Sequence, residues 1–188
     1  MIKRSQLWIM GGVTLLAFPI PTFLVLYFVE DISPLEILEL QNLQLDPLAL
    51  GIVIGMLYAV IAMAFMQSSV FDPLPNRVEN LVKQMNLSIW DCFFLAMCAG
   101  VGEELLFRSG VQYYLGPWVT SVLFVAIHGY LNPFNWRMSL YGVIVLPFIL
   151  IISFALEEFG LWFCIGAHFS YDLVLFLMMR ASINEEQS

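Results

Sequence analysis

Six residues of this chain are of types that move protons or stabilise charge, and their spacing is helical: Glu103, Glu104, Arg108, His128, His168 and Asp172. Glu104 and Arg108 stand four apart, as do His168 and Asp172, so each pair shares one helix face and can interact across a single turn. Phe124 and His128 repeat the spacing, placing an aromatic ring one turn below an imidazole. Glu103 projects about 100° away from Glu104 and has no partner within its own helix. One carboxylate is therefore free to act as a base, while a second is held by a guanidinium. Two imidazoles, both histidines of the chain, and a further carboxylate complete the set. A general base with an imidazole nearby is what water activation and leaving-group protonation require. Gly100 and Gly102, just before the acidic pair, allow a neighbouring helix or a substrate backbone to come close.

The elements that must position these groups are membrane helices. Of 188 residues, 61% are hydrophobic and only 12% charged, and mean hydropathy is +0.86. Soluble domains run at about 45–50% apolar and about 25% charged. No soluble globule of this size buries so much apolar surface, so lipid must be the solvent for most of the chain. Seven Lys and Arg against fifteen Asp and Glu give a net charge of −8 with no basic cluster, which argues against nucleic-acid binding. Cys92, Cys98 and Cys164 all fall in apolar stretches, without zinc-ribbon spacing, and read as small buried hydrophobes.

Six apolar stretches suit helices crossing roughly 30 Å of hydrocarbon. They are Leu7–Val29, Leu48–Met66, Ile89–Gln112, Trp118–Leu131, Ser139–Leu156 and Gly160–Met179. The fourth is short and bounded by Pro117 and Pro133, so its ends belong in protein rather than lipid. Pro147 should kink the fifth, and Pro19 and Pro21 should bend the first. Lys3 and Arg4 resemble a signal-peptide start, but the run behind them is too long and lacks a small-residue cleavage site, which reads as an uncleaved helix. Asp72–Ser88 places Val78, Leu81, Val82 and Met85 at helical spacing, as a short amphipathic cytoplasmic helix would. The expected fold is an all-α polytopic bundle of about six transmembrane helices. Residues 1–88 supply two spans and the amphipathic linker, residues 89–180 a four-helix core, and residues 181–188 a cytoplasmic tail.

Basic residues fix the expected orientation. Lys3, Arg4, Arg77, Lys83, Arg137 and Arg180 fall on one side of the spans. The opposite loops carry Glu30, Asp31, Glu36, Glu39, Asp46, Glu157 and Glu158 with no Lys or Arg. Both termini should be cytoplasmic in a multi-pass cell-membrane protein. This topology creates a tension: the third span runs outward and the fourth inward, which puts Glu103 and His128 at different depths. They meet only if the spans are staggered or the fourth is shorter than drawn.

A charge near the bilayer centre costs roughly 2.5–3.5 kcal/mol on insertion scales, so intramembrane ionisable groups face cavities and partners. Helix–helix glue would explain Glu104 and Arg108, but it would bury Glu103 and both histidines without purpose. His128 could instead cap the end of the short span beside Asn132 and Pro133. A proton-coupled carrier would also use Glu, His and Asp relays. Six short spans without inverted-repeat symmetry argue against that.

In order and spacing, Glu103-Glu104-x-x-x-Arg108, Phe124-x-x-x-His128 and His168-x-x-x-Asp172 resemble the three motifs of the CPBP family. That family comprises the CAAX proteases and bacteriocin-processing enzymes, also called Abi, and includes the eukaryotic Ras-converting endopeptidase. The resemblance covers roughly Ile89–Met179. It implies an intramembrane endopeptidase, glutamate-dependent or metalloprotease-like, acting on a membrane-associated peptide or protein. Glu103 would activate water with His128 as its partner, Glu104 and Arg108 would shape the site, and His168 and Asp172 would serve as ligands or oxyanion stabilisers. The third motif often ends in Asn. An ionised Asp172 cannot donate a hydrogen bond, whereas a metal-ligand role asks for no donor. The resemblance leaves zinc open, with Glu103, His128, His168 and Asp172 as the candidate ligands from three spans; two histidines and carboxylates could leave one open position. The Abi branch also allows a non-catalytic immunity protein or scaffold.

Overall fold

The computed structural model describes residues 3–42, 44–66, 85–131 and 136–186. These residues are helical, without a strand among them. Most of the expected amphipathic helix, residues 72–84, lies outside the described residues.

Two helices, α1 (Arg4–Ala17) and α2 (Pro19–Val29), run end to end. Phe18 between them keeps helical dihedrals (φ −62°, ψ −40°), and Pro19 takes the first position of α2, where a missing N–H is tolerated. A one-turn helix, α3 (Pro34–Ile37), follows, then α4 (Leu45–Met66). The site-bearing part begins with α5 (Ile89–Glu104), whose start is fixed by a reciprocal cap: Ser88 Oγ accepts from the Asp91 amide and Asp91 accepts from the Ser88 amide. After Glu104 the coil widens into a π-helical segment over Leu105–Val111 and re-enters α-helix as α6 (Gln112–Ile127). The last element, α7, spans Trp136–Glu186, so helix continues past Arg180 into the stretch expected as a tail.

Two glycines turn this sequence into hairpins. Gly116 adopts φ 71°, ψ 172° inside α6, and Gly160 adopts φ 76°, ψ 177° inside α7, both in the region that L side chains avoid. Pro117 then starts the returning arm of α6 at the position proline prefers. At the second hairpin, Glu39 accepts a 2.7 Å hydrogen bond from the Leu161 amide and so caps the returning arm. Contacts on either side of each glycine show the reversal. Phe107 meets Phe124 with ring centroids 4.9 Å apart across Gly116. Across Gly160, Phe148 stacks on Tyr171 at 4.4 Å, and Cys164 Sγ donates to the Ile152 carbonyl at 3.2 Å. Pro147 keeps helical dihedrals; the break in α7 comes at Gly160.

The α1–α2 rod runs parallel to α5 and the π segment along its whole length. Arg4 meets Asp91 at 3.0 Å, Trp8 stacks on Phe94 at 4.4 Å, and Tyr114 donates to Glu30 at 2.8 Å at the far end. Gly102 makes the close approach expected of it: a side chain there would strike the Thr14 carbonyl, and one at Gly100 would meet the Phe169 backbone at 2.9 Å. On the other flank, Gly51 and Gly55 of α4 seat the arm of α7 that follows Gly160, against the carbonyls of Phe163 and Ala167.

Among the described residues, three segments are long and apolar enough to cross a membrane: Arg4–Val29, Leu45–Phe65 and the 43-residue Ser139–Ala181. The third is about twice the length a single ~30 Å crossing needs, and it folds back at Gly160. Of the six expected spans, α5 carries Asp91, Glu103 and Glu104 within 16 residues, and the return from Gly116 is short, so neither stands out by length and composition. Apolar side chains cover the outer surface, with Leu16 72%, Phe28 75% and Trp90 75% exposed, the reverse of a soluble protein. Arg4 bonds to Asp91, and Arg180 donates to the Leu87 carbonyl at 3.0 Å, so both of these arginines lie at the start of α5. Glu30, Glu39 and Gly160 lie at the other end.

Candidate active site

All six residues singled out in the sequence lie in or against one region of the bundle interior. Glu104 and Arg108 form a fully buried pair, Arg108 Nε to Glu104 Oε2 at 2.9 Å. The angles make it a charge contact rather than an aligned hydrogen bond. The other Glu104 oxygen, Oε1, lies 2.7 Å from His168 Nδ1. Glu104 thus ties the π segment to α7 across 64 residues of sequence. Arg108 also stands 5.6 Å from the centroid of Phe124, within cation–π range.

Glu103 and His128 meet at the same level because Gly116 lies 13 residues after one and 12 before the other. Their side chains approach to 3.4 Å, Glu103 Oε2 to His128 Nε2, and are 14% and 29% exposed. The depth mismatch is thereby resolved: the returning helix ends at Ile127, and His128 is both its C-cap residue and the partner of Glu103. His128 Nδ1 lies 2.7 Å from the Phe124 carbonyl. A carbonyl only accepts, so Nδ1 carries the hydrogen and Nε2 turns its lone pair toward Glu103 whenever the ring is neutral. The Phe124 ring lies against this imidazole at 4.4 Å and meets His168 edge-on at 5.8 Å. One phenylalanine therefore separates and orients both histidines, the physical content of the Phe-x-x-x-His spacing.

His168 is 5% exposed. With Nδ1 directed at Glu104, its Nε2 faces Asp172 Oδ2 at 3.5 Å. Glu103, His128, His168 and Asp172 all line one cavity of about 310 Å³. Several of its other walls had no signal in the sequence. Met10, Gly11 and Thr14 of α1 line it, as do Tyr130, Tyr141 and Tyr171. The tyrosines lie near the motifs in sequence, whereas α1 reads as any lipid-facing helix.

The four residues considered for zinc stand as two pairs, Glu103 with His128 and His168 with Asp172. Among the described residues no three His, Cys, Asp or Glu side chains gather closely enough to hold one metal ion. Each imidazole gives Nδ1 to another acceptor and keeps Nε2, which is also how a metal-binding histidine is held, so the ring geometry itself does not exclude a ligand role. The three cysteines are buried and free.

No curated protein and no solved structure matches the chain. A family model does: residues 85–174 match the family described as "Type II CAAX prenyl endopeptidase Rce1-like". The matched stretch contains Glu103, Glu104, Arg108, Phe124, His128, His168 and Asp172. Over residues 85–174, just under half of its length, the chain is therefore similar to the Rce1-like CAAX endopeptidase family.

Proposed function

We propose that this chain is an intramembrane endopeptidase that hydrolyses a peptide bond in a membrane-associated protein or peptide. The observation that carries the reading is the Glu103–His128 pair, 3.4 Å apart on the two arms of a hairpin, at the wall of a cavity between helices. Glu103 takes a proton from a water, whose oxygen attacks the scissile carbonyl carbon. The carbonyl electrons move onto its oxygen, giving a tetrahedral oxyanion. Collapse expels the amine, which takes up the proton held between Glu103 and His128. Glu104 and Arg108 support the reaction through position, since Glu104 fixes the tautomer and orientation of His168. The apolar part of the lining, with Met10, Leu95, Val145, Ile149, Leu175 and Met179, suits an apolar or prenylated substrate segment. The test is an internally quenched CAAX peptide, farnesylated on its cysteine, supplied to the purified chain in detergent beside its unprenylated twin. Cleavage of either supports the reading, and cleavage of neither, nor of any transmembrane peptide, removes it.

For topology, we propose six crossings with both termini cytoplasmic, a reading that the two hairpins and the distribution of basic residues support. The native cysteines are buried, so labelling background is low. Asp31→Cys should react in intact cells with an impermeant thiol reagent. Reaction only after permeabilisation would reverse the orientation.

A further inference from the structure

The Gly116 hairpin has to hold Glu103 and His128 at one level, yet the turn itself fixes little. A side chain built at Gly116 would meet nothing within 4 Å, so no neighbouring element wedges the reversal. Between the arms, the contact of Phe107 with Phe124 is apolar, and in lipid acyl chains can take the place of such a contact. Interhelical hydrogen bonds are directional and fix register more sharply. Beside the hairpin stands a set of them made by Gln112, Ser121 and Ser153, which are 7%, 0% and 0% exposed.

The protons of this set follow from its acceptors. Gln112 Nε2 donates to the Ser153 carbonyl at 2.7 Å. Ser121 Oγ donates to the Pro117 carbonyl at 2.7 Å, because a carbonyl only accepts. A hydroxyl has one hydrogen, so at the 2.8 Å contact between the serines Ser153 donates and Ser121 accepts. Ser153, on the arm of α7 before Gly160, thus holds both arms of the hairpin: the outgoing arm four residues before Gly116, the returning arm five residues after it. Gln112 is also the residue whose amide closes the π segment on the Phe107 carbonyl. That segment is therefore anchored to α7 at both ends, through Glu104 on His168 and through Gln112 on Ser153. Glu103 lies nine residues before Gln112, and His128 seven after Ser121. None of the three residues lines the catalytic cavity.

We propose that Ser153 and its two partners, Gln112 and Ser121, are positioning residues for the Glu103–His128 pair: they set the register of the two hairpin arms from which that pair is built. The proposal rests on the endopeptidase reading above. Slippage by one helical turn would carry His128 about 5.4 Å along its axis and break the pair outright. Far less matters, because a misplacement of about 1 Å at reacting groups is enough to cost roughly 10²-fold in rate.

Gln112→Leu frees the outgoing arm and Ser121→Ala the returning one, and neither alters the cavity lining. On the farnesylated CAAX peptide each should lower kcat by about 10–10²-fold while KM stays at the wild-type value. Ser153→Ala, which cuts only the link between the serines, should match Ser121→Ala, and Ser121→Thr, which keeps the hydroxyl, should restore turnover. Coupling separates positioning from mere loss of stability. In a Glu103→Gln background, where the pair no longer works, Ser121→Ala should lower the residual turnover no further, although it lowers the melting temperature as before. Turnover of Gln112→Leu and Ser121→Ala within about threefold of wild type would overturn the proposal and leave the endopeptidase reading intact. So would a loss that carries over in full to the Glu103→Gln background. An equal loss in Ile152→Val would overturn it too, since that change trims a buried side chain next to Ser153 and outside the set of bonds. Absence of any cleavage by the wild-type chain would remove both.

Discussion

Glu103→Gln should lower peptide-bond hydrolysis by about 10²–10⁴-fold, the range that a positioned general base contributes, with little change in folding. The substitution keeps size and one carbonyl oxygen but cannot accept a proton. Glu103 is the right carboxylate to test because it is the one without a structural duty. Its Oε2 is buried and makes no hydrogen bond, and its one close polar neighbour among the described residues is the Nε2 of His128 at 3.4 Å. That separation is looser than a working hydrogen bond, and catalytic contacts commonly tighten only when substrate is bound. Truncating His128 should cost a comparable factor, since members of one catalytic unit are strongly non-additive. The double variant should be little worse than either single one. Steady-state cleavage with melting curves on the same preparations checks this. Wild-type turnover in Glu103→Gln would favour the non-catalytic scaffold reading.

The parts of this site that were legible in the sequence are those carried by local spacing. The Glu104–Arg108 pairing, the Phe124–His128 stack and the His168–Asp172 approach are each one helical turn, and each is present. Charge burial in an apolar chain pointed to a shared interior, because lipid tolerates no other place for these groups. The reversals were bracketed as well, between Gln112 and Trp118 and between Leu156 and Gly160, and Gly116-Pro117 is itself a turn signal. What was not legible is the level at which the arms meet: the spacing does not say that Gly116, at φ 71°, sets Glu103 beside His128. The link from Glu104 to His168 joins residues 64 apart, and nothing local predicts it. The wall contributed by α1 was hidden for a related reason. In lipid, a helix face that lines a cavity and one that faces acyl chains are both apolar, so hydrophobic periodicity stops distinguishing inside from outside.

The second large effect is on stability. Arg108→Met should destabilise the protein by about 3–5 kcal/mol, the usual cost of removing one partner of a buried ion pair. Both side chains of the pair are completely shielded, so the Glu104 carboxylate left behind cannot recover solvation from water. It would keep His168 Nδ1 at 2.7 Å as a donor, and it can take up a proton, which places the loss toward the lower end of that range. Removing both charges should be gentler than removing one. Glu104→Gln still offers His168 an acceptor, and with Arg108→Met no unpaired charge remains, so the double variant should regain part of the loss. Arg108→Lys should fall between, because an ammonium restores the charge but neither the guanidinium fork nor its flat approach to Phe124. Unfolding in detergent, arranged as a double-mutant cycle, reads these terms. For a chain of this length the single variant corresponds to a fall of roughly 6–20 °C in melting temperature. An Arg108→Met protein melting with the wild type, or a double variant that loses the full sum of its two single changes, would show that the pair does not hold the π segment to α7. The orientation of His168 would then need another source, since in this geometry its Nδ1 is held by the same carboxylate that neutralises Arg108.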